Sequence, residues 1–173
     1  MEIQFNPFFS KIIFVLLTKI TFTYSELEDR ILMSAMAMEG KTVAFWLTQR
    51  LCSRLVRALT AHLQRSVSRS ALVEMGLQLS CQQREAEWQH KPSEPVINRI
   101  ESLLVLPEKV VLSCSSQSAI LLFPFDDGSE AQLRLNLQEL RQLLAIVYRL
   151  YQHAGWPKEV WPEWINSAEP GMN

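Results

Sequence analysis

The sequence predicts an α+β fold built from two similar units, each of three or four strands followed by a helix. Three observations predict it. Segments in which apolar and polar residues alternate precede two segments whose apolar residues recur at three- and four-residue spacing. In each half, one Gly among polar residues interrupts the alternating segments, which is typical of a hairpin turn. These features recur in the second half of the chain at a constant offset of 88 residues.

The composition is that of an ordinary globular protein. Of the 173 residues, 48% are hydrophobic and 20% are charged, and only five are Gly, so the chain is too apolar for intrinsic disorder. The net charge of −1 gives no overall attraction to nucleic acid or to anionic membranes. Cys52, Cys81 and Cys114 occur without a CxxC motif. We therefore expect buried free thiols and a reducing compartment, most simply the cytoplasm.

The apolar segment "FFSKIIFVLLTKITF" near the N-terminus is expected to begin the sheet. Its uninterrupted apolar run, residues 12–17, is much shorter than the roughly 20 residues that a membrane-spanning helix needs. Glu2 and the absence of a small-residue cleavage site disfavour a secretory signal. We expect a strand over residues 9–18, and a membrane-anchoring role is the alternative.

The first unit continues with strict alternation. In "KITFTYS", Ile20, Phe22 and Tyr24 face one way and the hydroxyl residues face the other. Gly40, within "EGK", predicts a hairpin turn, and Thr48 is a good N-cap for the helix that follows. The predicted elements are strands 9–18, 19–25, 30–38 and 42–47 and helix 48–65. The predicted buried face of this helix consists of Cys52, Leu55, Val56, Leu59 and Leu63.

A connecting segment, residues 67–98, follows the first unit. Its sequence "SRSALVEMGLQLSCQQREAEWQ" predicts a helix with Ser68 or Ser70 as its cap. Pro92 and Pro95 end this helix, because proline lacks the N–H that a helix interior requires.

The second unit repeats the pattern. Gly128, within "DDGS", predicts the equivalent turn, Asn136 the equivalent N-cap, and Gly155 the C-terminal end of the helix. The predicted elements are strands 99–106, 109–115, 119–125 and 131–135 and helix 136–153. The predicted buried face of this helix consists of Leu140, Leu143, Leu144, Val147 and Tyr151.

The chain therefore divides into units 1–66 and 99–155, the connecting segment 67–98 and a Trp- and Pro-rich tail, 156–173. An antiparallel sheet with one helix cannot bury both of its faces, so we expect the two units to pack together with pseudo-two-fold symmetry. This element order resembles the tandem β-β-β-β-α units of Whirly and PUR-repeat proteins. The resemblance implies single-stranded nucleic-acid binding on exposed sheet faces. The alternative is that a common strand–turn–strand–helix pattern occurs twice by accident.

Motifs of catalysis and metal binding are absent from the sequence, including GxGxxG, P-loop, GxSxG and HExxH. We therefore expect neither an enzyme nor a cofactor or metal. His62 and His153 lie near helix ends, where a cation is favoured, and His90 lies in a loop. We expect these histidines to be structural or exposed. The acidic clusters at 26–29 and 126–130 are typical of turns, and paired-carboxylate catalysis is their alternative.

Arginines give one helix an unusual charge. Residues 48–70 contain five Arg and no acidic residue, and Arg50, Arg54 and Arg57 share the helix face opposite the apolar stripe. Arginine is well suited to bidentate contacts with carboxylate or phosphate. We consider a docking site for an acidic partner or nucleic acid, with a solvated face or intramolecular pairing to the acidic tail as the alternative.

Tryptophans supply the remaining candidate partner-binding residues. Trp46 and Arg134 occupy equivalent positions on the polar face of their strands, as base stacking would require. Cover by the tail or by another subunit is the alternative for Trp46. Trp156, Trp161 and Trp164 are too apolar to remain in water, so we expect them to pack on this chain's core or to mediate a homodimer or heteromeric contact.

These features predict a non-catalytic, self-associating adaptor, assembly or regulatory module that acts through protein–protein contacts. The alternative is a single-stranded nucleic-acid-binding protein of Whirly- or PUR-like architecture, and an enzyme with an unrecognised site is a third hypothesis. A protein partner is favoured because the net charge is near neutral and an oligonucleotide would also meet both acidic clusters.

Overall fold

The computed structural model describes residues 14–38, 40–67, 72–98 and 102–166. The strands in these ranges are β1 Phe14–Ser25, β2 Arg30–Ala37, β3 Thr42–Leu47, β4 Leu103–Val105, β5 Val111–Cys114, β6 Ser118–Pro124 and β7 Glu130–Asn136. The helices are α1 Gln49–Ser66, α2 Leu72–Trp88, α3 Leu137–Ala154 and α4 Glu163–Asn166. The mixed α+β fold that the sequence predicts is confirmed.

All seven strands belong to one sheet, in the order β4-β3-β2-β1-β7-β6-β5. Neighbouring strands are antiparallel except in two pairs, β1 with β7 and β3 with β4, which are parallel. The expected arrangement of antiparallel sheets is thus replaced by one mixed sheet. The β1–β7 pair joins the halves of the chain, so the two halves share a continuous set of backbone hydrogen bonds.

The predicted strands 9–18 and 19–25 form a single strand, β1, and residues 9–13 lie outside the described part of the chain. The N-terminal end of β1, Phe14–Leu17, pairs with β7 on one side, and β2 pairs with β1 from Leu17 to Ser25 on the other. A register shift within the β1–β2 pairing lies between Leu17 and Lys19. A bulge of this kind bends a strand without ending it, so β1 is continuous where the sequence predicted two strands.

The sheet curls because its two edges are joined by a short connection. Strand β4 covers Leu103–Val105 of the predicted strand 99–106, of which residues 99–101 lie outside the described part of the chain. Residues 106–110 lead directly to β5 at the opposite edge. Six flat strand spacings would separate these edges by roughly 29 Å. The Cα atoms of Val105 and Val111, however, are at most about 21 Å apart along an extended chain. The edges must therefore approach each other.

The caps and turns occur where the sequence predicts them. The Leu51 N–H donates to Thr48 Oγ1 (3.2 Å), and the Glu139 N–H donates to Asn136 Oδ1 (2.8 Å). Gly40 has a φ of 76° and Gly128 a φ of 81°, a left-handed backbone that glycine adopts without strain. Both N-caps and both glycine turns are confirmed.

Helices α1 and α3 pack on one face of the sheet, called here the inner face. Their predicted buried faces are confirmed except for Leu55, which is half-buried. Phe45 of β3 and Phe123 of β6 meet in this core with ring centroids 4.6 Å apart. An apolar cavity of about 20 Å³ lies between the helices and the sheet, with room for about one water molecule.

The connecting segment forms α2, which ends before Pro92 as predicted, and Ser68 and Ser70 lie outside the described residues. All three cysteines are free, but only Cys52 is buried. The prediction that Cys81 and Cys114 are buried is wrong. Cys81 lies on the solvent side of α2, and Cys114 ends the edge strand β5.

Candidate binding surfaces

The three arginines of α1, called here the Arg face, are all exposed. Arg50, Arg54 and Arg57 lie opposite the buried stripe that packs on the sheet. Within the described ranges, none of the three forms an ion pair with a carboxylate. The intramolecular pairing considered as an alternative is therefore absent from this part of the chain.

The Arg face borders the contact between α1 and α3. The hydroxyl groups of Ser53 and Tyr151 lie 3.0 Å apart in that contact. Burial raises the pKa of Tyr151 to about 12, although the Ser53 hydrogen bond and the nearby Arg57 charge act in the opposite direction. The Arg face thus lies on a helix whose position is fixed by packing in the core and by the Thr48 N-cap.

The acidic turns form local hydrogen bonds, as expected, and one of them also binds the distant Trp156. Asp29 accepts hydrogen bonds from Tyr24 Oη and Trp156 Nε1, each at 2.7 Å, and these bonds lower its pKa. Asp127 accepts hydrogen bonds from the N–H and hydroxyl of Ser129 at 2.9 and 2.6 Å, which lowers its pKa likewise. These carboxylates stabilise their turns.

The tail tryptophans pack on this chain's own core. Trp156, Trp161 and Trp164 are 5–6% exposed. Trp156 and Trp161 meet the Tyr151 ring edge-on at 5.0 and 5.3 Å, and Trp161 meets Tyr148 at 5.1 Å. Of the two expectations for these tryptophans, packing on this chain's own core is the one that the structure shows. Because their surfaces are covered, we do not include them in a partner-binding surface.

Trp46 and Arg134 share the outer face of the sheet but are not neighbours. Trp46 is half-buried and lies opposite Leu32, whereas Arg134 is exposed and donates from Nε to Gln132 Oε1 at 3.1 Å. Strands β2 and β1 separate their strands, which corresponds to roughly 14 Å. Trp156 of the tail packs against Tyr24 on the inner face, so this described part of the tail does not cover Trp46.

Comparisons with known protein families, curated proteins and solved structures gave no match.

Residues 91–98, called here the strap, cross the outer face of the sheet. The Val96 N–H donates to Thr21 Oγ1, and Asn98 Nδ2 donates to Ser34 Oγ, both at 2.8 Å. Thr21 and Ser34 are register partners on β1 and β2, and their small side chains leave room for the crossing chain. The sequence predicted no contact between this segment and the sheet. Of its residues only Val96 is buried, and the sequence does not distinguish Val96 from its exposed neighbour Ile97.

The two edges of the sheet carry exposed aliphatic side chains, called here the open edges. Leu103, Leu104, Leu106 and Val111 are between 42% and 57% exposed. Among the described residues, strands β4 and β5 each have a neighbouring strand on one side only, so the backbone groups of their other sides have no strand partner there. The sequence-based expectations did not include this exposed surface. The uniformly apolar run from Leu103 to Leu106 was the feature of the sequence that could have indicated it.

The histidines differ from one another. His62 is buried, and desolvation, followed by the charge of Arg65, lowers its pKa. His62 is therefore a structural residue of the core, because the last turns of α1 pack against the sheet. His153 is exposed and packs edge-on against Tyr24 at 5.9 Å. His90 is exposed in the loop after α2.

The described residues contain no group of three or more His, Cys, Asp or Glu side chains placed to hold a metal ion. Among the helices of the same residues, none combines the length and apolar character that crossing a membrane requires.

Proposed function

We propose that this protein is a non-catalytic, self-associating adaptor or assembly module that acts through protein–protein contacts. The observation that carries the proposal is the Arg face, an exposed cationic row without a carboxylate partner in the described chain, whose net charge over the whole sequence is −1. A local cationic surface on a slightly acidic protein favours an acidic segment of another protein. Arginine contributes bidentate contacts to carboxylates that lysine cannot form.

The geometry of α1 supports this role. Along a helix axis, Arg54 lies about 6 Å and Arg57 about 10 Å from Arg50. An acidic helix with carboxylates at the same spacing could contact all three arginines together. Because α1 is already held by its cap and by the core, binding would cost little additional ordering of the backbone.

Self-association is proposed to occur at the open edges, with a second copy of this chain as the partner. The exposed leucines of β4 supply apolar surface, and its unpaired backbone groups supply hydrogen bonds. A reducing compartment such as the cytoplasm remains part of the proposal, supported by the three free cysteines.

We further propose that the chain is an internal duplication. Two parallel pairings support it: Val15 pairs with Ala131, and Leu103 pairs with Val43. Val15 and Leu103 are 88 residues apart, and so are Val43 and Ala131. Exchanging the two units therefore converts one pair into the other, as two equivalent units require.

Single-stranded nucleic-acid binding, in the manner of Whirly or PUR-repeat architecture, is the second candidate. The presence of Trp46 and Arg134 on one outer face favours it, since stacking and phosphate contacts would come from the same side. The strap counts against it, because it covers the outer face of β1 and β2. We therefore rank a protein partner first.

The test replaces Arg50, Arg54 and Arg57 together with Glu. We expect the variant to fold normally and to lose specific protein partners that the wild type retains from nuclease-treated native extract. The control replaces Arg84, Lys91 and Lys109 with Glu; all three are exposed, lie outside the Arg face and change the net charge by the same amount. It should retain the partners.

The same proteins should be titrated with a labelled single-stranded oligonucleotide at several salt concentrations. Tight, salt-dependent binding that only the Arg-face variant loses would favour the second candidate. A variant that keeps every interaction of the wild type would contradict both functions for this helix.

A further inference from the structure

Arg141, in α3, is a buried cation without a buried anion. Its side chain is 4% exposed, and no described carboxylate pairs with it. Its Nη2 donates to Gln82 Oε1, and the guanidinium lies 5.9 Å from the centroid of the Trp164 ring. Its Nη1 is buried and has no hydrogen-bond partner. Burial lowers the pKa of Arg141 to about 10, so the group remains charged at neutral pH.

A groove of about 270 Å³ separates α2 from the first turns of α3, and Arg141 lines it. Gln82 and Glu85 contribute polar walls, and Ala86 and Leu137 contribute apolar ones. A groove of this size is suited to a small ligand or to the end of a chain rather than to a large cofactor.

We propose that this groove binds a carboxylate monoanion, which the Arg141 guanidinium receives. A buried guanidinium with an unpartnered Nη1 is unfavourable, and a carboxylate oxygen would accept a hydrogen bond from that nitrogen while Gln82 keeps its bond to Nη2. The source is either a small free acid or the C-terminal carboxylate of a peptide. Inorganic phosphate is disfavoured, because Arg141 is the only cationic residue among the described residues that line the groove, and Glu85 also lines it.

The proposal is independent of the Arg face, which lies on a different helix. A purely structural role for Arg141, joining α2 to α3 and α4, makes a different prediction. In that case Gln82 already supplies the oxygen that the guanidinium needs, and added carboxylates would bind no better to the wild type than to variants of the groove.

The test compares two ligands by calorimetric titration of the full chain at neutral pH and fixed ionic strength. N-acetylglycine carries the carboxylate, and N-acetylglycinamide replaces it with a neutral amide. We expect millimolar binding of the acid, which corresponds to about −4 kcal/mol, and none of the amide. Inorganic phosphate should bind more weakly than the acid. The tripeptide N-acetyl-Ala-Ala-Gly distinguishes the sources: tighter binding than N-acetylglycine indicates a peptide C-terminus, and equal or weaker binding indicates a small acid.

Gln82→Glu provides the decisive variant, because it places a carboxylate of the protein itself beside Arg141. We expect it to raise the melting temperature and to weaken N-acetylglycine binding at least about tenfold. Gln117→Glu, which adds the same charge in an exposed turn, should bind as the wild type does. Arg141→Lys keeps the charge but loses the planar fork, and it should also weaken binding at least about tenfold.

Three results would each overturn the proposal. The first is no binding of the acid by the wild type up to about 50 mM. The second is equal binding of acid and amide. The third is unchanged acid binding by either groove variant.

Discussion

Three glycines show how backbone conformation decides the effect of a single methyl group. Gly40 and Gly128 have positive φ values, whereas Gly76 lies within α2. A Cβ atom at any of the three positions would meet nothing within 4 Å, so only the backbone preference differs. Replacement by Ala should cost about 1 kcal/mol or more at Gly40 and Gly128 and should stabilise the fold by up to about 1 kcal/mol at Gly76.

Urea unfolding of the three variants checks this prediction, since the change in free energy of unfolding is read from the midpoint at constant m-value. Effects of the same sign at Gly40 and Gly76 would contradict it.

His62 is expected to make stability depend on pH. Because its pKa is lowered in the folded state, the unfolded chain binds a proton near pH 6.5 that the folded protein does not yet bind. The free energy of unfolding should therefore fall as pH drops below about 6.5, and this contribution should level off below the folded-state pKa. His62→Leu should flatten the dependence.

Chemical denaturation at a series of pH values measures this slope. The control is His90→Gln, which alters an exposed loop histidine. If the pH dependence remains in His62→Leu and disappears in His90→Gln, the prediction that His62 causes it is contradicted.

At the scale of elements, the tail acts as part of the core. Trp161 is 6% exposed, whereas Trp88, at the end of α2, is 91% exposed. Trp161→Ala should cost about 3–5 kcal/mol, because it removes a buried ring and its contacts with Tyr148 and Tyr151. Trp88→Ala is the matched control and should change stability by less than about 0.5 kcal/mol.

Thermal and urea unfolding of both variants provides the measurement. An unchanged midpoint for Trp161→Ala would show that its ring does not stabilise the fold. Equal losses in the two variants would contradict the predicted difference between a buried and an exposed Trp. Trp156 anchors the same segment through Asp29, so the turn between β1 and β2 and the tail should loosen together.

At the scale of the whole molecule, the proposed self-association at the open edges predicts the effect of a charge placed there. Leu104→Lys places a charge on the exposed edge strand β4, and charged side chains oppose edge-to-edge pairing. We expect sedimentation to detect a self-associated wild type and a monomeric variant with unchanged stability. Leu77→Lys, on the exposed side of α2, should leave association unchanged.

If both variants associate as the wild type does, the open edges are not the contact. A wild type that remains monomeric at every concentration tested would contradict the self-association part of the proposed function.

The sequence by itself determined the local structure of this protein. Thr48 and Asn136 cap their helices, and Gly40 and Gly128 close their turns, through hydrogen bonds that span three residues. Apolar spacing likewise identified the buried sides of α1 and α3 and the exposure of the Arg face. Features of this kind depend on neighbours along the chain, so their signals lie in short stretches of sequence.

The tertiary structure alone decided which distant segments meet. Leu17 pairs with Leu133, and the strap crosses Thr21 and Ser34, because the curled sheet brings these segments together. The burial of Arg141 was likewise decided by tertiary structure. Nothing in the sequence of α3 predicts that this arginine is buried, because it becomes buried only when α2 and α4 cover it. Burial and pairing depend on contacts far apart in the chain, and many pairings satisfy the same alternating pattern, so periodicity could not select among them.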